Sequence, residues 1–444
     1  MDAPLGDRLP ALRTSVPGPI SRQLTARLQR VESRNITAVG EAGPIFWAEA
    51  AGANVRDADG NVYIDLTAGF GVSAAGHGNP AVTDAAVGQL RRLTHAMGDV
   101  HPADVKVDLL ERLAARAPGE LSVSVLSANG SDAVESALKT AVLATGRPGI
   151  VAFRGGYHGL GYGALGVTSG PRFRDPFRAQ LFEGVRFAPF PSDSTGQPGP
   201  HGSAARALDT VRDAIRSSGH GPHPVGAVIV EPVQGRGGII VPPPDFLPQL
   251  RALCDEMETV LILDEVYTGF GRTGRWFACE HWDVVPDLLV VGKSLAGGLP
   301  LSALIGRPGV MDAWPASEGE AIHTSTFLGN PVTCAAALAH LDELERQGLV
   351  DRADALGRWL DERLDALVSR LDAAVGTRGL GLMRALAVAG PGRAGRVAEA
   401  ALRDGIIILP EGPALAFTPP LTITEAQLEH ALGVIERLLA GSRE

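Results

Sequence analysis

The chain has 444 residues, 45% hydrophobic and 20% charged, a composition that suits an ordinary soluble globular protein of two or three domains and excludes a disordered class except at the ends. A formal net charge of −10 and a pI near 5.6 exclude nucleic-acid binding through a broad basic surface and leave attraction for cationic small molecules open. Cys254, Cys279 and Cys334 are odd in number and lack metal-ligand spacing, which predicts reduced thiols, no metal and a cytoplasmic setting, and the N-terminus shows neither a secretory signal nor a membrane span.

Residues 1 to about 20 are rich in proline and charge, the pattern of a mobile or partner-draped arm. Leu24, Leu28 and Val31 then fall at helical spacing. Strand patterns at 44–47, 53–55 and 62–66 bracket the turn residues Asp57, Asp59, Gly60 and Asn61, a hairpin signal. A glycine-rich loop follows that contains Phe70 and Val72, and Gly76 to Pro80 opens a helix. From about Ala81 helical patterns alternate with short apolar runs, which predicts a wound α/β domain with a mostly parallel sheet.

The run 123–126 reads as a strand, followed by Gly130, Ser131 and a helix over 133–144. Free N–H groups at that helix start, with the Ser131 hydroxyl, could hold a phosphate; the plainer alternative is a serine N-cap. Strands at 150–153 and 225–230 end at Tyr157-His158 and at Glu231. The stretches 191–203 and 217–224 are rich in Pro, Gly, Ser and His and read as surface loops. A long helix over 335–346 and a further one over 353–371 lead into a C-terminal α/β segment.

Two apolar runs carry the chemistry. Residues 260–263 end at Asp264 and Glu265, and residues 288–291 end at Gly292 and Lys293, 29 residues beyond Asp264, enough for one crossover to a neighbouring strand. Lys106, Lys139 and Lys293 are the only lysines in an arginine-rich chain, so Lys293 stands where arginine cannot serve. Lysine can lose its proton when desolvated and form a Schiff base with a carbonyl. An acid for a ring nitrogen and a lysine for an aldehyde are what pyridoxal phosphate needs from a protein. The glycines at 269, 271 and 274 match a dinucleotide fingerprint, but no helical pattern opens on them.

Asp264-Glu-Val-Tyr-Thr-Gly-Phe-Gly-Arg-Thr-Gly274, Gly292-Lys293-Ser and His323-Thr-Ser-Thr-Phe-Leu-Gly-Asn-Pro331 together resemble the class III (ω-) aminotransferases of the type I pyridoxal-phosphate fold. The resemblance runs from about Pro44 to Leu439. It implies a large cofactor domain at 76–334 with a seven-stranded, mostly parallel sheet, and a small α/β domain built from 1–75 and 335–444. It also implies a Schiff base on Lys293, Asp264 at the ring nitrogen, and an aromatic stack from Tyr157. Gly130, Ser131, His158, Val266 and Tyr267 surround the cofactor in this reading, and Phe70 and Val72 border the substrate. Thr326 would reach the phosphate of the neighbouring subunit's cofactor, which implies a homodimer.

The chain departs from that family where carboxylates are bound. Ala416 occupies the position of an arginine that holds an α-carboxylate, and Leu160 matches a second arginine for a distal carboxylate. Glu231, which pairs with the first of these in the family, is then either an unpaired acid expected to attract an ammonium group or an acid hydrogen-bonded to the loop at Gln234 and Gly235. Tyr267 replaces a glutamine that contacts the cofactor's ring hydroxyl. These departures point to transamination of a primary amine such as an amino sugar or polyamine. Epimerisation or racemisation, and elimination on an amino sugar, are the alternatives on the same fold.

Overall fold

A computed structural model describes residues 5–37, 43–192, 203–219 and 221–441. Strands buried on both faces need unbroken apolar runs; four such strands, with the partly buried edge strand Val185–Ala188, form the parallel part of the sheet. Leu288–Val291, Val260–Glu265, Val225–Val230, Gly149–Phe153 and Val185–Ala188 lie side by side in that order and run parallel. Ser302–Gly306 pairs antiparallel to Leu288–Val291 and to Val123–Ser127, which completes the expected seven-stranded, mostly parallel sheet.

Alternation along each strand sorts its side chains between two cores. Ile229, Ile262 and Val290 pack with Ala133, Val134 and Ala137 of the Gly130–Thr145 helix. Val228, Leu261, Leu263 and Val291 pack on the other side with Val211 of Ser203–Ser218 and Phe246 of Phe246–Glu256. Each such leucine or isoleucine contributes roughly 2–3 kcal/mol of burial.

Both ends of the chain build the smaller sheets. Trp47–Ala51, Asn54–Asp57 and Val62–Asp65 form an antiparallel meander whose last strand pairs in parallel with Ile406–Ile407. Ala374–Leu380, Met383–Val388, Ala414–Phe417 and Leu409–Glu411 form a separate four-stranded antiparallel sheet.

Local expectations shift in four places. The described part of the N-terminal arm is tied to its own chain, because Asn54 Oδ1 accepts the N–H groups of Gly6 and Arg8 and Asn61 Oδ1 accepts those of Arg13 and Thr14. The first strand starts at Trp47, beyond Pro44, whose missing N–H suits an approach to a strand better than a ladder position. The helix expected at 133 starts at Gly130, capped by the Asn129 side chain on Asp132 N–H, so Ser131 lies inside the helix. A proposed boundary at 334/335 falls inside the helix Pro331–Arg346. Of the loops read at 191–203 and 217–224, residues 193–202 and 220 lie outside the described residues.

Candidate active site

In sheets of parallel strands, ligands sit outside the carboxyl ends of the strands. A cavity of about 610 Å³ opens there, lined by residues that follow five strands, among them Gly130, Ser131, Tyr157, His158, Glu231, Asp264, Val266 and Lys293. Asp264 and Glu265 end one strand, and alternation sends them to opposite sides. Asp264 lines the cavity; its Oδ1 accepts Val266 N–H at 3.0 Å and its Oδ2 meets His158 Nδ1 at 2.8 Å. Glu265 is fully buried and accepts from the Thr268 hydroxyl and the Ala278 and Cys279 N–H groups, a structural acid. Burial acts to lower the His158 pKa, but the hydrogen bond and charge of Asp264 together with Glu231 outweigh it, and the imidazole is held above its ordinary value. The hydrogen bond between them holds the Asp264 carboxylate fixed toward the cavity.

Lys293 begins a short turn directly after Leu288–Val291 and Gly292. Its φ of +42° places a non-glycine residue in the left-handed region. Such strain costs about 1–3 kcal/mol and clusters at functional sites. Desolvation lowers its amine to a pKa of about 8 against the opposing pull of Asp264, Glu231 and Glu411. The Nζ lies 3.5 Å from the centre of the Tyr267 ring. That ring is sandwiched by backbone: a Cβ on Gly71, whose φ is +81°, or on Gly235 would come within 2.6 Å of it. Its hydroxyl donates to Thr418 Oγ1 at 3.1 Å, so Tyr267 presents a face to the lysine and spends its polar end on the C-terminal segment.

Of the two expectations for Glu231, the structure shows the acid hydrogen-bonded to the loop at Gly235. It is not unpaired: Oε2 accepts Tyr157 N–H at 3.0 Å and Oε1 accepts Gly235 N–H at 3.1 Å. Burial raises its pKa to about 7, with His158 opposing and Asp264 adding to the rise, so its charge is weak at neutral pH. Two further charged residues line the cavity and carry no motif: Arg236 and Glu411. Arg236 stacks its guanidinium 4.5 Å from the Tyr157 ring centre, and Glu411 ends the strand Leu409–Glu411. They belong to segments far apart in sequence, and only the fold joins them.

Phe70 and Val72 line the cavity, Phe70 from a left-handed turn with φ +65°. Ala416 and Thr326 do not. The Ala416 methyl is buried in a small cluster with Val233, Ile239 and Met383, and its single carbon is too short to reach the cavity. Thr326 is exposed in a turn outside the cavity of its own chain. Among the described residues no cluster of His, Cys, Asp or Glu could hold a metal, and no helix is long and apolar enough to cross a membrane.

A family profile described as aminotransferase class-III matches residues 36–439. The chain belongs to the class III aminotransferases. It is 37% identical to a 4-aminobutyrate aminotransferase of Mycobacterium leprae, over 96% of this chain and 97% of that one. It is also 33% identical to an alanine/serine racemase of Pyrococcus horikoshii, over 97% and 92%. An amine transaminase from an uncultivated Pseudomonas species, solved in its pyridoxal-phosphate-bound form, superposes with a TM-score of 0.85 at 31% identity over 93% of this chain and 98% of that one.

The cofactor of this class III enzyme is pyridoxal phosphate, and the residues present fit it. The first-turn N–H groups of Gly130 and Ser131 have no carbonyl within their helix to meet, and the helix dipole favours an anion there. Ser131 Oγ accepts Gly161 N–H at 2.9 Å and keeps its own proton to donate. Asp264 has oxygen lone pairs left for a ring N–H beyond the two contacts that orient it. His158 Nε2 is buried without a hydrogen-bond partner, a polar atom left within this polar pocket wall.

Proposed function

We propose that this enzyme transfers the amino group of a primary amine to a keto acid, and that it works as a cytoplasmic homodimer. The observation that carries this is Lys293, with a pKa of about 8, in one cavity with Asp264. The bound cofactor supplies a protonated pyridine ring that accepts the electron pair released when the C–H bond beside the substrate nitrogen breaks. Asp264, oriented by His158 and Val266 N–H, keeps that ring nitrogen protonated. Lys293 Nζ takes the proton from the substrate carbon, a task that needs an amine able to exist as free base near neutral pH. Gly130 and Ser131 N–H groups hold the phosphate, with Thr326 of the partner subunit completing the cradle from its exposed turn.

The amine we favour has no carboxylate on its reacting carbon, as in a polyamine or an amino sugar. The absence of arginine at Ala416 and Leu160 supports this, and Glu411, whose carboxyl makes no hydrogen bond with a described residue, supplies negative charge in the cavity for a cationic substrate. Epimerisation is the second reading, favoured by the Pyrococcus horikoshii racemase relative. The two separate in one experiment: holoenzyme is mixed with putrescine, n-butylamine or an amino sugar with no keto acid present, and its absorption is followed. Lasting conversion of the bound cofactor to its amine form is expected. An unchanged spectrum while solvent deuterium enters the amino sugar at the carbon bearing its nitrogen would replace transamination with epimerisation.

A further inference from the structure

Transamination needs a second substrate, and the common keto acids and amino acids carry a carboxylate. Both arginine positions that would hold one are filled by Ala416 and Leu160. Among the described residues that line the cavity, Arg236 is the one guanidinium. It makes no ion pair or hydrogen bond with any described residue, and its guanidinium stacks on Tyr157 at 4.5 Å and near Phe173 at 6.0 Å. Stacking fixes the plane of the fork and leaves its N–H edge available, the geometry that suits a bidentate carboxylate.

The backbone beneath Arg236 is held in place. Gln234 and Ile240 exchange both backbone hydrogen bonds across the turn, at 2.9 and 3.0 Å. Gln234 Nε2 donates to Arg154 O at 2.9 Å, and Arg378 Nε donates to Gly238 O at 2.6 Å from the C-terminal sheet. Such a turn presents its side chain from a fixed base rather than from a loose loop. Glu411 lines the same cavity but makes no ion pair with Arg236. Burial raises the Glu411 pKa, with Arg236 and Lys293 opposing, so the acid is coupled to both cations without neutralising either by contact.

We infer that Arg236 is the carboxylate anchor of this enzyme, and that it gives the site affinity for short-chain amino or keto acids whose carboxylate lies away from the reacting carbon. Glu411 offsets its charge when the substrate is an amine without a carboxylate. The inference rests on the transaminase reading for its chemistry but not for its binding. Arg236 thus supplies in a new place what Ala416 and Leu160 no longer can.

The test uses holoenzyme and its Arg236→Met and Arg236→Lys variants. Two substrates that differ only by carboxylate against methyl, 4-aminobutyrate and n-butylamine, are compared by their half-saturating concentrations for cofactor conversion. Binding of glutarate, which has no amine and cannot react, is measured by calorimetry. In Arg236→Met the ratio of half-saturation for 4-aminobutyrate over n-butylamine should rise at least tenfold and glutarate binding should weaken by a similar factor. Arg236→Lys should recover part of both. An unchanged ratio and unchanged glutarate binding would overturn the assignment, as would equal weakening for both amines. If neither amine converts the cofactor in any variant, the transaminase reading fails, and glutarate binding alone decides the role of Arg236.

Discussion

Lys293 is destabilised twice, by a backbone φ of +42° and by burial that pulls its amine down to a pKa of about 8. The sign of the second effect is definite. The unfolded chain holds that proton up to about pH 10.5 and the fold only to about pH 8, so the penalty is complete below pH 8, shrinks as pH rises, and is gone above 10.5. Replacing Lys293 with Met should stabilise the cofactor-free protein by up to about 3 kcal/mol at pH 7 and by much less at pH 10. Urea denaturation at the two pH values measures this, and a variant no more stable than its parent at pH 7 would contradict it. The same variant should lose cofactor conversion entirely, a trade of stability for function. Lys293 was legible because lysine is rare in this chain and stands at the end of an apolar run. Arg236 was not, because one arginine in an arginine-rich chain carries no signal until its surroundings are known.

At the scale of elements, period-2 alternation decides which of two adjacent carboxylates reaches the cavity, and sequence alone reads the strand but not the direction of its faces. The resemblance to a family singled out Asp264; the structure supplies the reason that Glu265 cannot take its place. The glycine-rich segment after them is not a nucleotide loop. Its Arg272 is 1% exposed and donates to Leu382 O at 3.1 Å and Pro419 O at 2.6 Å, joining the cofactor sheet to the C-terminal segment. Burial drops the Arg272 pKa to about 10, with Tyr267 and Asp65 opposing. Arg272→Met keeps much of the volume but leaves two carbonyls without their donor, at about 1–3 kcal/mol each, so a loss near 3 kcal/mol is expected. A urea midpoint unchanged from the parent protein would show that the staple contributes nothing.

Across the whole molecule, the first meander is completed by Ile406–Ile407 from the far end of the chain, so the small domain cannot assemble until both ends are in place. Contacts of such long sequence separation leave no local signature: several central strands and helices were legible to within a few residues, but the strands of the C-terminal sheet were not read, and only the family resemblance pointed to a small domain built from both ends. The cavity depends on the same closure, since Arg236 follows a strand of the central sheet and Glu411 ends one in the C-terminal sheet. Thr326 carries the dimer proposal from an exposed turn. Sedimentation should show a dimer, and Thr326→Ala should release the cofactor at least several-fold faster without changing subunit mass. A monomer that retains its cofactor would rule out the shared cradle.

Amino-group transfer itself is tested most directly with isotopes. Holoenzyme is incubated with ¹⁵N-labelled n-butylamine, freed of small molecules, and then given 2-oxoglutarate. The account predicts close to one labelled amino group per active site in the glutamate released, and none from the Lys293→Met protein. Glutamate without label, alongside n-butylamine that has kept its nitrogen and exchanged its hydrogen for solvent deuterium, would contradict transamination.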